Sequence, residues 1–119
     1  MIIAIPVQND KQLKSNVEQH FGPANNYVTV DENGRYLKTI VNESSHKGGA
    51  KLPPDFLKDN NVDIVLCEEL GPRAVTLCKQ NNIQVFLGHA ETAEEMYKLW
   101  NKNKLVEANT TNACADHKI

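Results

Sequence analysis

Apolar positions come in blocks separated by polar stretches. Ile2 to Val7 (IIAIPV) is an uninterrupted run of strand length, followed by residues 8 to 25, which are polar and hold no sustained period. NYVTV at 26 to 30 predicts a second strand. Asp31-Glu32-Asn33-Gly34 predicts a turn suited to positive φ, and Arg35 to Val41 a third strand completing a hairpin. SSHKGG, 44 to 49, reads as a loop. Pro53-Pro54 fits the first turn of a helix running to about Asn60, with Phe56 and Leu57 facing inward. VDIVLC (62 to 67) and IQVFLG (83 to 88) are buried strands, and between them Gly71-Pro72 opens a second helix to about Gln80. Thr92 and Glu95 have capping-box spacing, so a third helix starts there with Met96, Leu99 and Trp100 as its apolar stripe. Residues 107–119 are polar and aperiodic, a flexible tail after a single domain spanning 1–106.

The order β-β-β-α-β-α-β-α predicts an α/β fold: a meander of three strands, then parallel strands joined by right-handed crossovers. In a meander the first and third strands run the same way. If the fourth pairs in parallel with the first, and the fifth with the fourth, four strands share one direction and their following loops meet at one rim. That rim collects His20, His46, Cys67 and His89, at the carboxyl ends of strands where open α/β sheets bind ligands. Gly71 begins the second helix, whose free N–H groups attract anions and favour a thiolate at Cys67. Arg73, in the first turn, opposes the helix dipole and becomes understandable beside an anionic ligand. Lys47 and Gly48-Gly49 add a charge and accessible amides. Cys78, Met96 and Trp100 have core spacing. Cys114 and His117 form a C-x2-H pair in the tail, short of the four ligands of a closed metal site. The tail, up to ~40 Å when extended, is long enough to return over a bound metal.

Composition narrows the function. A chain of 119 residues with 40% hydrophobic and 24% charged positions is one globular domain. Three Phe, three Tyr and one Trp leave an aliphatic core, and a net charge of -2 argues against general nucleic-acid or anionic-membrane binding. The first run is too short to span a membrane and lacks a signal-peptide flank, which points to the cytoplasm. There the three cysteines read as thiols or metal ligands rather than a disulfide framework. G-x-S-x-G, Walker, G-x-G-x-x-G and H-E-x-x-H motifs are all missing, and Asp10, Asp31 and Asp63 fall at different strand edges, so no catalytic constellation forms.

HFG at 20 to 22 leading into the N-x-Y-V of residues 25 to 28, together with LCEELGPRA at 66 to 74, resembles the dinitrogenase iron–molybdenum cofactor biosynthesis family over roughly residues 1 to 106. That family comprises accessory proteins that carry nitrogenase cofactor or its precursor, and a domain of the radical enzyme that builds the precursor. The resemblance implies a ribonuclease H-like, three-layer α/β/α fold with a five-stranded mixed sheet of order 3-2-1-4-5. It implies a non-enzymatic carrier of an iron–sulfur-type or iron–molybdenum cluster, a monomer or weak homodimer that exchanges cargo with donor and acceptor proteins. His20, Phe21 and Gly22 would contact the cluster, with Cys67, Gly71, Arg73, His46 and His89 around them. His20, Cys67, Cys114 and His117 would be the metal ligands. Pro23-Ala24-Asn25-Asn26 stands where the family often has a basic residue. The alternative is a regulatory or interaction domain binding a small anion or a protein without a cluster. A hydrolase on the same scaffold is a third possibility.

Overall fold

A computed structural model describes residues 1–42, 52–109 and 111. The strands β1 (Ile3–Val7), β2 (Asn26–Val30), β3 (Tyr36–Val41), β4 (Ile64–Cys67), β5 (Gln84–Leu87) and β6 (Val106–Glu107) form one mixed sheet of order β3-β2-β1-β4-β5-β6. The helices are α1 (Pro53–Asp59), α2 (Pro72–Gln80) and α3 (Ala93–Asn101), and a single 3-10 turn covers Gln12–Lys14. The β1–β2, β2–β3 and β5–β6 pairs are antiparallel, whereas β1–β4 and β4–β5 are parallel. β1, β3, β4 and β5 therefore do share one direction.

Side-chain alternation along the strands builds two cores, one on each face. Ala4, Tyr27, Val65 and Cys67 face α1 and α2 and pack with Leu57, Ala74, Val75 and Cys78. Ile3, Ile5, Val7, Val28, Ile64 and Leu66 face the other way and meet Ala93 and Met96 of α3. The result is three layers.

Six strands replace the expected five. β6 lies antiparallel to β5 through Phe86↔Glu107 and Leu87↔Val106, and the Ala108 N–H donates to the Val85 carbonyl at 2.8 Å. Gly88 makes room for this return: a Cβ there would sit 2.2 Å from Leu105 Cδ2. Two exposed residues carry no hydrophobic period, so the sequence predicts no strand here, and Glu107, the first residue of the expected tail, pairs with β5.

The helices begin and end by local chemistry. The capping box forms as expected: Thr92 Oγ1 accepts from the Glu95 N–H at 3.3 Å and Glu95 Oε1 accepts from the Thr92 N–H at 3.2 Å. Each helix stops on an asparagine in the left-handed region, Asn61 (φ 62), Asn82 (φ 58) and Asn103 (φ 58). After each, the next N–H reaches back to close a Schellman motif, Val62 to Leu57, Ile83 to Cys78 and Lys104 to Leu99.

In the hairpin turn only Gly34 takes positive φ, +85. The Tyr97 ring lies over it so closely that a Cβ would come within 2.6 Å of Cε2, and the Tyr97 hydroxyl donates to the Glu32 carbonyl at 2.8 Å. Gly34→Ala should cost about 2 kcal/mol from the left-handed backbone and the displaced ring. A lowered urea midpoint at unchanged slope checks this, and a midpoint equal to wild type would refute it.

Candidate functional site

The connection after β1 is pinned in stages. Gln8 N–H donates to Asn16 O (2.8 Å) and Glu18 N–H to Pro6 O (2.9 Å), while Val17 N–H reaches Glu91 O at 2.9 Å. The next residues cross to the segment after β4. His20 bridges Glu69 in parallel, Phe21 N–H donates to Glu69 O and Glu69 N–H to Gln19 O, both at 3.2 Å, and the Gln19 amide donates to the Glu69 carboxylate. The His20 N–H also donates to Glu18 Oε2 at 3.3 Å. His20 is thereby held, half-buried, at the carboxyl rim of the sheet.

Phe21 turns into the core, its ring 5.7 Å from that of Tyr27. Gly22 turns outward. A Cβ built on it meets nothing within 4 Å, because it borders a small, open cleft lined also by Phe21, Leu52, Pro53, Pro54, Arg73, Ala74 and Leu77. One wall comes from the loop after β1, the others from the starts of α1 and α2. Gly71 is the N-cap of α2, Pro72 opens the helix, and its first turn holds no acidic residue. Arg73 is exposed and makes no ion pair among the described residues, so a guanidinium stands at the mouth of an apolar cleft beside a helix N-terminus.

The structure thus brings Phe21, Gly22 and Arg73 to one cleft, with His20 and Gly71 adjoining in the chain. His89 lies on the same rim but is 78% exposed in its side chain and directs Nδ1 to Glu68 Oε2 at 3.1 Å rather than lining this cleft.

Cys67 requires a correction. Expected as a rim thiolate, it is fully buried on the α1/α2 face, and burial, then the neighbouring Cys78 and Glu68, push its thiol up. Desolvation outweighs the helix dipole because α2 covers the thiol instead of exposing it to its N-terminus. Cys78, assigned to packing, is buried in the same core. His46, Lys47, Gly48 and Gly49 lie outside the described residues, as do Cys114 and His117. Among the described residues no three His, Cys, Asp or Glu side chains converge as a metal-binding group, and no helix is long and apolar enough to cross a membrane.

Two contributors escaped the sequence reading. Asn42 donates from Nδ2 to Gly22 O at 3.0 Å and to Ala24 O at 2.7 Å, and Tyr27 Oη donates to Phe21 O at 3.0 Å. The only available signal was a lone polar residue directly after an apolar strand.

The chain is 24% identical over 110 residues to the uncharacterized protein MJ0580 of Methanocaldococcus jannaschii, covering 88% of this chain and 89% of that one. It resembles the crystal structure of PH0822 with a TM-score of 0.70 and 32% identity, over 91% of this chain and 96% of that one. It shares its fold with the apo form of the orange protein from Desulfovibrio gigas, with a TM-score of 0.79 and 20% identity over 90% and 92% of the two chains. A family model described as dinitrogenase iron-molybdenum cofactor matches residues 1–103, and the chain belongs to that family.

Proposed function

We propose that the protein is a carrier, not a catalyst, that holds an iron–sulfur-type metallocluster, iron–molybdenum cofactor or its precursor, in the cleft between the 20–24 loop and the start of α2. The observation that carries this reading is that parts of the two motifs typical of the family, Phe21 and Gly22 of HFG and Arg73 and Ala74 of GPRA, line one cleft although some fifty residues separate them. The residues fit such a cargo. Gly22 leaves a cradle that a side chain would fill, the apolar walls keep water from a labile cluster, and Arg73 with the α2 N-terminus answers its negative charge. His20, on the adjoining rim, is the candidate metal contact. The cargo would be gripped as a body, by charge, shape and one imidazole. Donor and acceptor proteins would approach the same open rim.

Anaerobic reconstitution tests this. The loaded wild type should gain charge-transfer absorption between the visible and the near-ultraviolet. His20→Ala and Arg73→Gln should each reduce uptake, about tenfold for the loss of a charge-assisted contact. Equal uptake by wild type and both variants would mean that the cluster binds elsewhere.

The exposed guanidinium beside a helix N-terminus also suits a small anion without a cluster. A thermal-shift panel separates the two, since only the true ligand raises the melting temperature. Stabilisation by inorganic phosphate with none from cluster would favour the second reading.

A further inference from the structure

We infer that Asn42 and Tyr27 are positioning residues for the cleft, because together they hold the carbonyls of Phe21, Gly22 and Ala24 inward and so set the path of the loop that carries His20 and Gly22. This inference rests on the carrier reading for its consequence, though not for its geometry. Asn42 follows β3 and is 0% exposed, its backbone N–H fixed to Asn25 O at 2.9 Å. Its carboxamide nitrogen has two protons and meets two acceptors at short range, Ala24 O at 2.7 Å and Gly22 O at 3.0 Å, with Tyr27 Oη farther away at 3.4 Å. The single phenol proton of Tyr27 goes to Phe21 O at 3.0 Å. Two buried side chains from the β2–β3 hairpin therefore satisfy three carbonyls of one loop from beneath.

The loop needs this support. Pro23 contributes no N–H, so the segment cannot pair as a regular strand, and a buried carbonyl left unpaired bears its full desolvation cost. Conformations that leave these carbonyls without donors are therefore disfavoured. Burial also pushes the Tyr27 phenol up, so it remains a donor across the working pH range. With its carbonyl held below, Gly22 presents its bare Cα side to the cleft. Asparagine is specific here, since an aspartate has the same shape but would set acceptors against the Gly22 and Ala24 carbonyls.

Asn42→Asp and the milder Tyr27→Phe test the inference through amide hydrogen exchange and cluster affinity. Reporters are the Phe21 and Glu69 amides, which are bonded across the loop, and Ala4 and Val65 in the central strands serve as controls. Exchange at Phe21 and Glu69 should accelerate about tenfold, the loss of one net hydrogen bond, with the central strands unchanged. Affinity for the anaerobically reconstituted cluster should fall by a similar factor. Acceleration spread evenly over β2 and β3, or unchanged exchange, would overturn the inference by reducing both residues to hairpin glue; so would unchanged affinity in a variant whose loop has loosened. If Asn42→Asp does not fold, Tyr27→Phe decides. If the wild type takes up no cluster, the carrier reading fails, and the exchange pattern alone still supports or overturns the positioning role.

Discussion

Replacing Gly22 by leucine should lower cluster uptake about a hundredfold while leaving the urea midpoint close to wild type. Most glycine substitutions harm a protein through backbone strain or collision, and neither applies here. Gly22 is not among the residues with positive φ, and its missing Cβ has no neighbour within 4 Å. Gly22 lines the cleft together with Arg73, Ala74 and Leu77, and the new side chain takes up space at its edge. Filling it excludes the cargo sterically, and a hundredfold loss corresponds to about 2.7 kcal/mol of binding. Gly22→Ala should give a smaller loss of the same kind, since one methyl fills less of the space. Titrating both variants with the anaerobically prepared cluster, alongside urea unfolding, separates occlusion from misfolding. Full uptake by a folded Gly22→Leu protein would place the cargo outside this cleft.

The contrast between Gly22 and Gly34 shows where sequence reading reaches and where it stops. Gly34 was legible as a turn because Asp31, Asn33 and Gly34 act on one another locally. The Asp31 carboxylate accepts from the Asn33 and Arg35 N–H groups, at 2.8 and 3.0 Å. The shared direction of β1, β3, β4 and β5 was legible too, since hairpins and crossovers leave few choices, and the rim position of His20 followed from it. The helix starts at Pro53, Pro72 and Thr92 were written in side-chain chemistry that acts within one turn. What escaped depends on contacts distant in sequence. β6 is specified by a glycine gap and backbone pairing with β5 rather than by any apolar period. The wall that Leu52, Pro53 and Pro54 give the cleft comes from packing α1 beside α2. The side of the sheet that Cys67 faces was hidden because β4 is apolar on both faces, Ile64 and Leu66 against Val65 and Cys67, so its alternation carries no signal.

That orientation of Cys67 has a thermodynamic consequence: the fold should weaken steeply above about pH 9. Burial pushes the Cys67 thiol up and pushes that of Cys78 up to about 12 from an ordinary 9.0, the nearby Asp55 adding to the second. A group whose folded pKa is raised stabilises the fold fully below the unfolded value, and the contribution is lost as pH rises toward the folded one. Between pH 9 and 12 the unfolded chain releases these two protons and the native state keeps them. Each thiol then contributes a slope of about 1.4 kcal/mol per pH unit, about 2.7 for both. Two pH units on that slope are comparable to the 5–15 kcal/mol stability of a whole domain. Tyr27, buried and shifted the same way, joins above its ordinary 10.0. Urea midpoints measured from pH 7 to 11 should fall with this slope, and Cys67→Val or Cys78→Val should each remove about half of it below pH 10. In a Cys114→Ser background, neither remaining thiol should react with iodoacetamide until the chain unfolds. Rapid native labelling at Cys67, or an alkaline slope indifferent to both replacements, would show a thiolate at the surface, and Cys67 would return to the rim as a candidate cluster ligand.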